Sequence, residues 1–261
     1  MATGRTTSRW WRFYMAGYDL SGYTRKIGPL KQEYEYGSAA AQTDACMNAV
    51  LSRAALSCGE LNGFFDNTAT SGLHAVASGA GVKRVVMIPI GIRAAPAQGD
   101  QCFVGEFPQL SYKAVEEANY IVANIAFGNS DDEAAANAYT KPWGVLLHAS
   151  GAETGVNTAI GVDDYGASPP SLGGYLCYQI FSVVGTGNVT IKVQEADTNV
   201  DGSFGDLSGA TSGAIAHTAI PAAGIVALGT TAAIKRYLRW QISLVTITSV
   251  TFALAFVRSL G

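Results

Sequence analysis

Asn188-Val-Thr-Ile-Lys-Val-Gln-Glu195 places Val189, Ile191 and Val193 on one side of an extended chain and Thr190, Lys192 and Gln194 on the other. A period of two marks a strand with one face on a core and the other in water. Similar β-branched and aromatic runs lie downstream at Tyr237–Ile247 and Val250–Val257, and upstream at Tyr175–Val184, Trp143–Ala149, Asn119–Phe127, Gln101–Phe107 and Lys83–Gly91. Pro89 in the last of these indicates an edge or a strand end, because proline donates nothing to a ladder. Nearer the start, Arg9–Ala16 and Tyr23–Ile27 flank the turn-rich Gly17-Tyr-Asp-Leu-Ser-Gly22. Many short strands punctuated by glycine imply a mainly β fold, a β-sandwich or barrel.

Two segments depart from this pattern. Met47, Val50, Leu51 and Ala54 recur at helical spacing, which predicts one flanking α-helix over about 43–56. Ser130-Asp-Asp-Glu133 before Ala134–Ala138 has the form of a capping box and predicts a second, short helix. We expect residues 1–261 to form a single β domain, with Asp163–Gly174 as a long loop or a sub-structure break.

The 261 residues are 14% charged and 48% hydrophobic, with 30 glycines and a net charge of -3. An average soluble domain is about 25% charged. This balance excludes intrinsic disorder and disfavours a protein that wraps nucleic acid in a basic surface. So few charges suggest a surface covered by partners. The longest charge-free window, Leu207–Ile234, contains Pro221 and several glycines and threonines, so no membrane span or membrane partner is expected. No apolar run precedes the first arginines, and no secretory signal is expected. Residues 1–99 carry a net +4, residues 100–206 a net -11 and residues 207–261 a net +4. Segregation of this kind is either drift in loop composition or the basis of head-to-tail pairing between copies, which produces rings and stacks.

Catalytic and cofactor chemistry is not indicated. His74, His148 and His217 lie in no ligand pattern, and Cys46, Cys58, Cys102 and Cys177 form no close pair, so free thiols and no metal are expected. There is no phosphate loop and no nucleophile elbow. Adjacent Glu116 and Glu117 on a strand point to opposite faces and cannot easily share a site. Asp197-Thr-Asn-Val-Asp201-Gly202 matches the first half of a calcium loop, with Asp197, Asn199 and Asp201 as ligands, but Ser208 stands where the closing glutamate belongs. A hairpin turn without metal is the expectation there. Arg9-Trp-Trp-Arg-Phe-Tyr14 could stack bases. Without a wider basic face, an interface strand is preferred, since Trp, Tyr and Arg favour such places.

The stretch Phe13-Tyr-Met-Ala-Gly-Tyr-Asp-Leu-Ser-Gly-Tyr-Thr-Arg-Lys-Ile-Gly28 resembles the start of tailed-bacteriophage major tail (tail tube) proteins. Glu60-Leu-Asn-Gly-Phe-Phe-Asp-Asn-Thr68, Trp143-Gly-Val-Leu-Leu-His148, Val189–Gln194 and Lys235–Arg239 add short motifs of the same kind over most of the chain. The resemblance implies a tail-tube-type β-sandwich with a flanking helix, no enzymatic activity and no cofactor. It implies hexameric rings stacked around a bore that viral DNA crosses without specific binding. Tape-measure and tail-terminator proteins would be the other partners. The protein would be made in the host cytoplasm and end in the virion. Phage head decoration proteins and glycan-binding β-domains of host-recognition structures are the alternatives. Within the tube reading, Arg9, Trp10, Trp11, Arg12, Arg239 and Arg258 are expected at subunit interfaces, the basic ones paired with acidic loops such as Ser130–Glu133. Glu106, Glu116 and Glu117 are expected to face the bore, where a negative wall would keep DNA from sticking.

Overall fold

The computed structural model describes residues 5–38, 49–130, 141–163, 173–229 and 231–258. Its strands, in chain order, are β1 (Tyr14–Met15), β2 (Tyr18–Asp19), β3 (Thr24–Gly28), β4 (Lys31–Ser38), β5 (Ala49–Ser57), β6 (Glu60–Phe64), β7 (Lys83–Pro89), β8 (Gln101–Glu117), β9 (Tyr120–Phe127), β10 (Trp143–Glu153), β11 (Val162–Asp163), β12 (Gly174–Ala196), β13 (Gly205–Thr211), β14 (Ile215–Ala216), β15 (Ala222–Ala227) and β16 (Tyr237–Arg258). The fold is mainly β, as expected. A curled antiparallel sheet runs in the order β13-β12-β16-β10-β8-β7-β1-β2. The second half of β8 leaves this order to pair with β9, which continues through β6 to β3. β4 and β5 form a separate two-stranded ribbon.

Three strands are far longer than the average of about 5–6 residues, and each serves two layers. β8 pairs with β7 through residues 102–108 and with β9 through 109–117. β12 and β16 run side by side, and their first pairings (Gly174–Val184 with Ser249–Arg258) belong to the central sheet beside β10 and β15. Their other half, Asn188–Ala196 against Tyr237–Val245, carries β13 on its far side. Register shifts at Ile180/Ser182, Val184/Gly185 and Gly185/Asn188 bend the ribbon between the halves. Gly187 sits where a side chain would collide with the Val245 carbonyl, so the close approach at the bend needs glycine. Bending folds the two halves over one apolar cluster, which includes Leu176 and Ile180 from one half and Val189, Ile191 and Val193 from the other. The strand pairs expected as 175–184 plus 189–195, and 237–247 plus 250–257, are therefore single strands joined through bulges.

A second cluster lies on the other face of β12 and β16 and includes Val85, Met87, Cys102, Val104, Tyr175, Cys177 and Ala255. A third packs β7 and β8 against β6 and β9 through Phe103, Phe107, Leu61 and Ile125. Cys58, Cys102 and Cys177 are buried, unpaired thiols, and burial raises the pKa of each.

The helix expected over 43–56 is a correction. Residues 49–57 form β5, with Gly37 opposite Val50 and Lys31 opposite Ser57, while residues 43–48 lie outside the described residues. Small and β-branched residues at mixed spacing fit either period, and the partner β4 decides between them. The helix that is present, α1 (Leu73–Ala77), has one turn and buries Leu73, Val76 and Ala77. The second helix expected after Ser130 and the break over 163–174 fall largely outside the described residues. Arg9–Ala16 keeps only β1 and an isolated bridge from Trp11 to Ile90, behind a 3-10 turn at Ser8–Trp10. Pro89 ends β7, and its carbonyl accepts the Arg12 N–H at 3.1 Å.

Buried glutamines mark two of the corners. Gln109, fully buried at the β8 crossover, accepts from Arg84 Nε at 3.1 Å and donates to the Ala77 carbonyl at 2.5 Å. Gln179, fully buried next to the β12 bend, accepts the Gly17 N–H at 2.7 Å and donates to the Val85 carbonyl at 3.1 Å. Gly17 has φ +84° in the β1–β2 turn, and a side chain there would strike the Pro221–Ala222 backbone. Gln179→Leu keeps the volume but strands the buried Gly17 N–H at about 1–3 kcal/mol, while the Val85 carbonyl keeps the Ala16 N–H at 3.0 Å. We expect it to lower unfolding free energy by about 2 kcal/mol in chemical denaturation, with the m-value unchanged.

Candidate functional site

The feature best suited to recognition is the outer face of the β3-β6-β9-β8 sheet. Leu61, Ala123 and Ile125 point to the core, so Glu60, Asn62 and Phe64 of β6 must point away from it. Cross-strand partners share that face: Lys26 and Asn124 beside Asn62, then Lys113 beside Asn124, and Val122 beside Phe64. Asn62 Nδ2 donates to Asn124 Oδ1 at 2.5 Å. Arg25 of β3 reaches Glu117 of β8 at 2.8 Å. Three strand spacings of about 4.8 Å separate these two strands, so the sheet must curl toward this face for the pair to form. The resulting concavity holds about 530 Å³. At its end, Phe64 (44% exposed) meets Tyr120 (61% exposed) edge to face, 6.0 Å between centroids, and the Arg25 guanidinium lies over Phe64 at 5.3 Å.

The β8–β9 hairpin closes with Ala118 and Asn119, φ 46° and 75°, the paired positive angles of a two-residue turn matched to strand twist. Among the described residues, β3 and the distal half of β8 each pair on one side only, which leaves both margins of this sheet free of ladder partners there. A cleft of about 470 Å³ runs along β3, between it and the N-terminal segment, lined by Arg9, Trp11, Arg12, Arg25 and Lys26 among others.

The residues singled out from sequence do not form one site. Arg239 is 5% exposed, and its guanidinium stays within its own chain. Nε donates to Gln194 at 2.9 Å, and Nη1 donates to Asp201 at 2.6 Å and to the Ala159 carbonyl at 3.1 Å, while the group lies 4.3 Å from the Phe204 ring. Arg258 is likewise buried and donates to the Ile234, Lys235 and Arg236 carbonyls. Their burial corrects the expectation that these two arginines face another subunit: apolar neighbours on β16 carry them inward, and carbonyls and Asp201 meet their charge. Lys235 pairs with Asp197 at 3.3 Å and Arg236 with Asp163. Lys235, Arg236 and Arg239 of the basic C-terminal segment are thus each matched by an acid of the middle within one molecule. Trp10, with Arg9 over its ring at 4.9 Å, and Trp11 and Arg12 stay partly exposed. Glu117 lies on the concave face, Glu116 on the opposite side of the same tip, and Glu106 on the central sheet opposite Val85. The three acids share no face.

Asp197, Asn199 and Asp201 occupy the β12–β13 connection, and their oxygens diverge. Asp197 takes Lys235, Asp201 takes Arg239, and Asn199 accepts the Gly161 N–H at 2.7 Å. No group of three or more His, Cys, Asp or Glu side chains suited to a metal occurs among the described residues. No helix among them is long and apolar enough to cross a membrane. Asp206, hydrogen-bonded by Lys192 and Gln194, has its pKa lowered. A depressed carboxyl adds stability above the ordinary carboxylate range that is lost as pH falls through the folded value. For so exposed a pair the contribution is under about 1 kcal/mol.

No protein-family model and no curated protein sequence matches the chain. Among solved structures, the Dit protein of phage SPP1, titled a paradigm of the hub adsorption apparatus in phages infecting Gram-positive bacteria, aligns with a TM-score of 0.32 and 9% identity. That alignment covers 94% of this chain and 98% of that one.

The concave face went unread in the sequence, although Glu60-Leu-Asn-Gly-Phe64 alternates polar and small or apolar residues and could have indicated it. Two outcomes test the assignments around Arg239. Arg239→Ala should cost about 3 kcal/mol in unfolding free energy, since it removes the charge-assisted bonds and the packing of a buried guanidinium. Asp201→Asn, at a 55% exposed side chain, should cost under about 1 kcal/mol. Calcium added to the protein in a calorimeter should give no binding heat. Tight binding lost in Asp201→Ala would reverse that assignment.

Proposed function

We propose that the chain is a structural subunit of a phage tail. In this reading, copies repeat around a ring through the free margins of the β3-β6-β9-β8 sheet, and the concave face turns toward a central channel. The observation that carries it is the pair of free margins on a curled, four-stranded antiparallel sheet. Four antiparallel strands end on margins that run in opposite directions, so copies related by rotation can continue the ladder antiparallel across every junction. Free margins invite aggregation unless covered, and a closed ring covers all of them at once. The resemblance to tail tube proteins supplies the finer picture: hexameric rings, stacked, with viral DNA passing through and tape-measure and terminator proteins at the ends. The low charge content supports it too, since buried junctions need few charges.

On this reading the channel wall carries Arg25, Lys26 and Lys113 against Glu60 and Glu117, close to neutral rather than acidic. Arg25 is held by Glu117, which leaves fewer cations for phosphates. A glycan-binding role is the second reading, favoured by the exposed Phe64–Tyr120 pair beside the Asn62–Asn124 amides, since aromatic faces and amides are suited to sugar rings. A head decoration protein would instead form discrete trimers or monomers on a shell.

Negative-stain images of the concentrated protein should show rings and short stacks with a central hole. Discrete trimers, or knobs seen on capsids of particles containing it, would overturn the tail reading. Saccharide binding abolished by Tyr120→Ser, without rings, would favour the second.

A further inference from the structure

We infer that the cationic cleft beside β3 is the seat for the β8–β9 hairpin tip of an adjacent copy, with Glu116 as the carboxylate it receives. The inference rests on the ring reading and names the contact that would close it. Four consecutive residues, Thr24 to Ile27, line the cleft. The N-terminal segment lines the other wall through Ser8, Arg9, Trp11, Arg12 and Phe13, so the cleft runs along the margin of β3, which a bulge between Thr24 and Lys26 interrupts. Among the described residues that margin has no ladder partner.

The cleft is charged beyond its local needs. Arg25 is engaged by Glu117, but Arg9, Arg12 and Lys26 have no carboxylate within ion-pair distance among the described residues. Arg12 Nη1 donates to the backbone carbonyls of Trp11 at 2.9 Å and Arg9 at 3.5 Å, leaving its other donors available. Asp19 Oδ1 accepts from both the Ser21 hydroxyl and the Ser21 N–H. The indole N–H of Trp11, which lines the same cleft, is buried with no hydrogen-bond partner among the described residues.

The opposite margin offers the complement. Glu116 is exposed at the tip of β8, opposite Ile121, which is 54% exposed. A carboxylate beside an apolar side chain matches a cleft whose wall mixes guanidinium groups with Trp11 and Ile27. Register places the two together. Thr24, Gly63, Ala123 and Ala114 lie level across the four strands. Glu116 stands two residues beyond Ala114, toward the end of the sheet where β3 begins. In an unstaggered junction, the tip of a rotated neighbour therefore arrives beside Ser21–Thr24, at the mouth of the cleft.

The test is charge reversal in the full chain, read by sedimentation velocity over a concentration series, with thermal midpoints as the control for folding. Glu116→Arg and Arg12→Glu should each weaken association by about tenfold or more, and the double variant should recover most of it. Lys26→Glu, at an exposed side chain, replaces Arg12→Glu if that variant loses stability. Association of the parent should also weaken as salt rises. Rings that form unchanged in the single variants, or singles that dissociate with no recovery in the double, overturn the cleft assignment and leave the ring reading intact. A parent that stays monomeric at every concentration overturns both.

Discussion

The requirement that three strands each pass through two layers governs the rest of this molecule. β8, β12 and β16 are the warp on which the other elements are laid, and a strand that changes layer has to bend without losing its ladder. Bulges supply the bend, and each bend exposes backbone groups to an interior where they need partners. Gln109 and Gln179 stand beside such bends and tie them to other elements, Gln109 to the Ala77 carbonyl at the end of α1, and Gln179 to the Gly17 N–H of the β1–β2 turn and the Val85 carbonyl of β7. His148 has a related place in β10: register shifts flank it, Nδ1 bonds to the Phe252 carbonyl at 3.1 Å and Nε2 to Glu153 at 2.9 Å. Polar residues in this core are concentrated at corners.

Charge follows the same economy. The contrast between the acidic middle of the chain and its basic ends reads in one dimension as a reason for copies to pair. In three dimensions the β12–β16 ribbon brings Asp163, Asp197 and Asp201 beside Arg236, Lys235 and Arg239, so three of the four basic residues after 206 are matched within the chain. The acids of the middle outnumber them, and among the charges left over are the N-terminal arginines and Lys26 along one margin and Glu116 at the β8 tip along the other.

Much of the architecture was legible because alternation is a local property. Val189, Ile191 and Val193 face the core as their spacing requires, and Gly17, first of the turn-rich Gly17–Gly22, sits in the tight β1–β2 connection, although Tyr18–Asp19 within that stretch form β2. Bulges were not legible: two strands joined through Gly185 and Gly187 look like two strands with a turn between them. The helix over 43–56 failed for a different reason. Ala, Leu, Val and Ser satisfy both periods weakly, and the choice belongs to β4, a partner that local spacing does not contain. The candidate site was hardest, because Arg25 and Glu117 stand 92 positions apart and only the curl of the sheet brings them together.

The place of β16 between β12 and β10 has a further consequence, for biosynthesis. The final long strand is the one that joins the β12 side of the central sheet to the β10 side. Until it has left the ribosome, β10 and β12 both present unpaired ladders, and the apolar cluster between the ribbon halves lacks Trp240, Phe252, Leu254 and Phe256. Elongation at about 5–20 residues per second makes that an interval of seconds, during which nascent chains expose the same ladders to one another. The chain therefore passes through its most adhesive state while β16 is being made, and its yield should depend on chaperones more than its finished stability would indicate.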